Sequence, residues 1–209
     1  MNGSGTAGCD RYRIVDGRLG RYRKIPIFHA MDNLTRMITL ADEFFGTTND
    51  PAQLTITEEV MEQLAAIHPA AMGERTNEQG PVAWTIVIPT TRGIRDRFLR
   101  GEIGETELMT RTLENADRHR QENRQIHYTS IYLCSALVLP EFRGNGLAKE
   151  LVCNSIRAIR QDHPIEDLFV WSFSTEGNGL ATSVARETGL PLRERNSGDH
   201  NVGTKPNDA

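Results

Sequence analysis

Four consecutive residues, Arg143-Gly144-Asn145-Gly146, carry the clearest chemistry in the chain. They stand between an apolar run, Ile131 to Leu139, and a segment in which Leu147, Ala148, Leu151, Val152, Ile156 and Ile159 recur at helical spacing. A run apolar on both pleat faces predicts a buried central strand, and the second spacing predicts one face of a helix. The order is therefore strand, turn, helix. Glycines in such a turn let backbone approach a ligand. The first N–H groups of the helix have no intrahelical partner and point outward, which makes an anion site.

The sequence narrows the anion. A phosphate-loop NTPase needs G-x-x-x-x-G-K-[ST], which the chain lacks, and a dinucleotide fingerprint needs a third small residue where Lys149 follows Gly144 and Gly146. The stretch instead resembles the acyl-CoA signature of the GNAT superfamily of N-acetyltransferases, R/Q-x-x-G-x-G/A, met here by Arg143, Gly146 and Ala148. Val138-Leu139-Pro140-Glu141-Phe142 ahead of it is also typical of that superfamily. The resemblance implies acetyl-CoA or another acyl-CoA as co-substrate and no metal. Its pyrophosphate would sit on Arg143, Gly144, Asn145, Gly146, Leu147 and Ala148. Its pantetheine arm would pair with the backbone of Leu137, Val138 and Leu139 like an added strand, in a gap where two strands splay apart. Asn178 falls where the family places an Asn near that arm, and Gly189-Leu190 where it usually has Gly-Phe. The implied fold is α/β (α+β), a GNAT-like mixed central sheet flanked by helices. The implied activity is transfer of an acyl group to an amine, on a small molecule or on a basic peptide or protein.

Transfer to an amine needs that amine neutral, and a lysine-like amine costs roughly 4.6 kcal/mol to deprotonate at pH 7. In histone-type members of the family a Glu early on the central strand serves as base; the corresponding residue here is Ser130. In many members a Tyr on the last helix protonates the departing thiolate; here that position is Ala185. Substitutes exist among neighbouring residues. Glu176 could be a base, or simply a favourable charge near a helix start, and Tyr132 could donate a proton, or be a core aromatic. Cys134 as an acyl-carrying nucleophile would need a base and access, and His127 could relay protons or be an ordinary loop histidine. A thioester is already activated and proximity alone contributes several kcal/mol, so catalysis without a named base remains open. A non-catalytic acyl-CoA-binding sensor or scaffold on the same fold is the alternative.

The elements around these residues follow from pattern and punctuation. Tyr12–Val15 and Ile25–Phe28 flank a turn-rich piece that could be a hairpin, and Asp32 or Asn33 could cap a helix through Leu34, Met37, Ile38, Ala41, Phe44 and Phe45, ended by Gly46. Thr57 starts a second helix with Val60, Leu64 and Ile67 inward, stopped at His68-Pro69. Val82 to Ile88 reads as one strand opened by Gly80-Pro81 and closed by Pro89-Thr90-Thr91. Two amphipathic helices, 94–99 and 105 to about 120, follow as an insertion before the central strand; the resemblance implies that they cover or shape the acceptor side, which this family builds from its N-terminal half. The charged end, Arg118 to Arg124, reads as a solvated helix terminus. Leu168 to Phe173 is another apolar strand, and Gly177-Asn178-Gly179 turns into a last helix that stops at Gly189. That pentapeptide, Gly177 to Ala181, repeats Gly144 to Ala148 and suggests a second copy of the same turn.

Length and charge bound the rest. The 209 residues suit one domain, placed at 10–196 between polar tails at 1–9 and 197–209. A net charge of −4 offers no basic field for nucleic acid or anionic lipid, and the absence of a signal-like or membrane-spanning stretch predicts a cytoplasmic protein. The histidines and three cysteines lack metal-ligand spacing. A homodimer is compatible with the sequence, but no residue pattern encodes one.

Overall fold

The computed structural model describes residues 27–45, 53–172 and 174–195. In chain order these form α1 (Ile27–Phe45), α2 (Glu58–Ile67), β1 (Met72–Asn77), β2 (Gly80–Thr90), α3 (Arg92–Leu99), α4 (Glu105–Gln121), β3 (Ser130–Val138), α5 (Leu147–Asp162), β4 (Asp167–Val170), α6 (Thr175–Thr188) and β5 (Leu192–Glu194). The strands make one mixed sheet in the order β1-β2-β3-β4-β5. β1, β2 and β3 are antiparallel neighbours, and β3, β4 and β5 are parallel. The class is thus the expected mixed α/β arrangement.

Packing assigns helices to the two faces. Met37 of α1 lies with Val82, Leu137 and Leu139 in one apolar cluster. On the same pleat face, Phe98 of α3 meets the Tyr132 ring at 4.8 Å between centroids. The opposite face carries α5, whose Leu151 and Ser155 close on Gly73 of β1 and Thr85 of β2. A Cβ on Gly73 would lie 2.8 Å from Thr85 Oγ1 and 3.3 Å from Leu151 Cβ, so this helix can seat only on a glycine.

Several boundaries differ from the sequence expectation for identifiable reasons. β1 was not predicted, because Met72-Gly73-Glu74-Arg75-Thr76-Asn77 is an edge strand with four exposed residues and no apolar alternation. Pro89 does not close β2. The partner β1 begins at Met72 opposite Ile86, so the proline lies beyond the ladder on that side and its missing N–H costs nothing there. Ile27 and Phe28 belong to α1 rather than to a strand, and Asp32 and Asn33 lie inside that helix rather than capping it. Asn33 is buried and its Nδ2 donates to Asn77 Oδ1 at 3.3 Å, which is why a polar residue faces inward. The proposed strand at 12–15 and the Gly46 stop lie outside the described residues.

The cap at Thr57 forms as expected, its Oγ1 accepting from Val60 N–H at 3.2 Å, and α4 ends in a solvated charged turn with Arg120 paired to Asp117 at 2.7 Å. β4 is shorter than predicted. Gly177, Asn178 and Gly179 lie within α6, whose cap is Ser174, with its Oγ accepting from Gly177 N–H at 3.0 Å. The pentapeptide echo is therefore helix throughout in α6, whereas at Gly144 its first three residues are turn and only Leu147 and Ala148 are helix. Among the described residues no helix is long and apolar enough to cross a membrane, and no group of side chains could hold a metal ion.

The Gly73 contact is directly testable. Gly73→Val should cost about 1–3 kcal/mol, because the added atoms overpack the β1–α5 contact. Urea denaturation would show it as a lower midpoint with unchanged slope.

Candidate functional site

β3 and β4 pair at three positions only, Ser130↔Asp167, Ile131↔Leu168 and Tyr132↔Phe169. The near end of this pairing is fixed by a buried ion cluster. Arg95 of α3 donates to Asp167 and, at 3.3 Å, to Ser130 Oγ, while Arg193 Nε reaches the same Asp167 oxygen at 2.8 Å. Past Tyr132 the strands separate. The register with β2 jumps from Ile86↔Ser135 to Val87↔Leu133, leaving Cys134 as the extra residue of a β-bulge. A bulge bends its strand and increases local twist, which carries β3 away from β4 where β4 ends.

The resulting cleft has a volume of about 490 Å³, walled by β3 from Leu133 to Val138, by the turn before α5, and by Val170, Trp171 and the first turns of α6. Leu139 N–H donates to Val82 O at 3.0 Å, so by strand alternation the polar groups of Val138 face the opposite way, into the cleft. Arg143 Nε donates to Val138 O at 3.0 Å, which folds the arginine across the cleft mouth.

The turn is shaped as an anion site requires. Gly144 and Gly146 have φ of 77° and 74°, a region costly for any side chain, and where a Cβ would project both face open space. Gly146 caps α5 without a side-chain bond, and the first intrahelical bond runs from Glu150 N–H to Gly146 O at 2.9 Å. The N–H groups of Leu147, Ala148 and Lys149 therefore precede the bonded ladder. Asn145 Nδ2 closes the turn on Phe142 O at 3.3 Å, and Arg36 of α1 braces it through Glu141 at 2.8 Å.

Of the residues predicted from sequence, Leu137, Val138, Arg143, Gly144, Gly146, Leu147, Ala148 and Glu176 line this one cleft. Leu139 is buried against α1, and Asn145 shapes the turn without lining the cleft. Asn178 is exposed on α6 and outside the lining. Tyr132 is also outside it. Fully buried between Phe98 and Phe169, it donates its hydroxyl to Glu105, and burial followed by the Glu105 charge pushes that hydroxyl well above the usual tyrosine range. A proton held that way is not available at the cleft, so Tyr132 is a core residue rather than an acid.

Ser130 is likewise buried in the Arg95 cluster, and Ala185 packs partly buried against the core. His127 is exposed and away from the lining. Cys134 does line the cleft, but burial and Glu105 push its thiol well above the usual range, which keeps it protonated and a poor nucleophile. Glu176 sits in the first turn of α6 at the cleft wall, where the helix dipole favours its charge.

Glu105 was missed. It is 6% exposed, begins α4, and accepts from Leu54 N–H at 2.9 Å as well as from Tyr132. In sequence it reads only as an acid at a helix start; nothing local signals that its partners are 51 and 27 positions away. Trp171 and Leu180 were also missed as wall residues, because both have ordinary core spacing. No family model, curated protein or solved structure matches the chain.

Two outcomes follow from this geometry. Tyr132→Phe should destabilise the fold by about 1–3 kcal/mol by removing a buried donor from Glu105, measurable by thermal melting. Iodoacetamide near neutral pH should leave Cys134 unmodified in the folded protein and alkylate it in urea, as read by peptide mass spectrometry.

Proposed function

We propose that the chain is an acyl-CoA-dependent N-acyltransferase with a GNAT-like fold, acetyl-CoA being the expected donor and an amine the acceptor. The observation that carries this reading is the cleft opened by the parting of β3 and β4, with a glycine turn and helix start at its mouth. An extended arm bearing amides fits the freed edge of β3, and a pyrophosphate fits the unbonded N–H groups of Leu147 to Lys149. The antiparallel pair β1–β2 ahead of the central strand supports the same reading, since that family normally has such a pair. Under this reading Arg143 and Lys149 supply charge at the mouth, and the apolar walls exclude water from the thioester. Glu176 is the carboxylate on the cleft wall nearest in role to a base, acting directly or through water on the acceptor ammonium.

A second reading keeps the ligand and drops the reaction. Ser130 is locked in the Arg95 cluster and Ala185 has no proton to give, so the chain would bind acyl-CoA as a sensor or scaffold. Turnover across a panel of small amines and basic peptides separates the two, and any sustained acetylation removes the second.

Binding is the first test. Calorimetry should detect CoA, and ligand at a hundred times its Kd should stabilise the fold by about 2.7 kcal/mol, raising the melting temperature by several degrees. The absence of both binding heat and thermal protection would sink both readings. Lys149→Glu places a negative charge at the helix start and should weaken CoA by about threefold or more without lowering the melting temperature of the free protein by a comparable amount.

A further inference from the structure

Far along α5 from the glycine turn, three rings from three separate segments meet. His163 ends α5, its N–H donating to Ile159 O at 3.0 Å. Its ring lies edge-on to Tyr128 with centroids 4.6 Å apart, and to His68 at 5.7 Å. His68 is buried, and it closes α2 and starts the short 3-10 turn Pro69–Ala71. Its Nδ1 accepts from Ala70 N–H at 3.0 Å, so the ring proton lies on Nε2 and points to Asp162 Oδ2 at 3.1 Å. That bond to Ala70 exists only while Nδ1 is unprotonated.

His163 Nδ1 and the Tyr128 hydroxyl are both buried without a hydrogen-bond partner among the described residues. In the imidazolium form of this half-buried ring, the buried Nδ1 proton would have no acceptor among the described residues. The charged and titratable groups facing it are His68 from the α2 end, Asp162 from α5 and His127 from the segment before β3; Tyr128 is faced in turn by Asp117 and Arg120 of α4. Burial, then His68, hold the His163 imidazole below its ordinary range, with Asp162 pulling the other way. Burial likewise pushes the Tyr128 hydroxyl up to about 12, so it stays neutral and supplies no counter-charge.

We propose that His68, His163 and Tyr128 form an acid-sensitive latch, which pins the C-terminal end of α5 to the end of α2 and to the segment entering β3 at neutral pH and loosens on acidification. The sign follows from proton linkage. A histidine whose folded form resists protonation contributes fully above the unfolded value of about 6.5, and that contribution is lost as pH falls below it. The latch is independent of what the cleft binds, but it acts on the helix whose first turn forms the cleft mouth.

Urea unfolding of the full chain between about pH 7.5 and about pH 5.5 tests this. The wild-type midpoint should fall on acidification. His163→Phe, which keeps a ring but cannot titrate, should remove at least half of that fall, whereas His127→Gln at an exposed position should leave it intact. An equal fall in His163→Phe and wild type, or an equal rescue by His127→Gln, would overturn the latch. Should His163→Phe fail to fold, the wild-type imidazole resonances decide: a midpoint for His163 below that of His127 supports the proposal, and one at or above it refutes it.

Discussion

β3 and β4 are bound together at one end and free at the other, and the rest of the structure is arranged around that limit. Three residue pairs hold the closed end. There the buried Asp167 receives Arg95 from α3 and Arg193 from β5, and Arg95 also reaches Ser130 at the start of β3. Such a pair returns little net stability against its desolvation, yet losing one partner strands the other charge. Its effect is to dictate which strand ends lie side by side.

At the open end, the extra residue Cys134 bends β3 and leaves that edge without a strand partner among the described residues beyond Tyr132. Sheet edges are normally paired or covered, and here the chain leaves a walled cleft instead. The wall is held from the face that α1 covers. Glu105 takes the Tyr132 hydroxyl and the Leu54 N–H, and α1 braces the glycine turn through Arg36 and Glu141. The proposed acyl-CoA reading uses these features together, since an edge alone would bind any extended chain and a helix start alone any anion.

The same helix connects two regions that differ in chemistry. The start of α5 presents N–H groups that precede its bonded ladder beside Gly146, while its end packs His163 against the rings of Tyr128 and His68. Gly73 sets the middle, where only the absence of a side chain lets α5 lie close on β1 and β2.

Elements whose signal is local can be read from the residues alone. The apolar run of β3, the periodicity of α5 and the glycines at 144 and 146 specify strand, turn and helix, because φ preference and burial period act over a few residues. The Thr57 cap and the Gly189 stop, in αL conformation, were legible for the same reason. What the tertiary structure decided involves partners far apart in the chain. The polar strand β1 exists because β2 offers it a ladder, and Asn33 faces inward because Asn77 meets it. Tyr132 is a core residue because its hydroxyl donates to Glu105, 27 positions away in the chain. Gly177 to Gly179 are helix although the same three letters make a turn at Gly144 to Gly146, since Ser174 caps the chain before them. The glycine turn was written in the sequence; that it stands at the mouth of a cleft was settled by where β3 and β4 stop pairing, a contact between residues 37 positions apart.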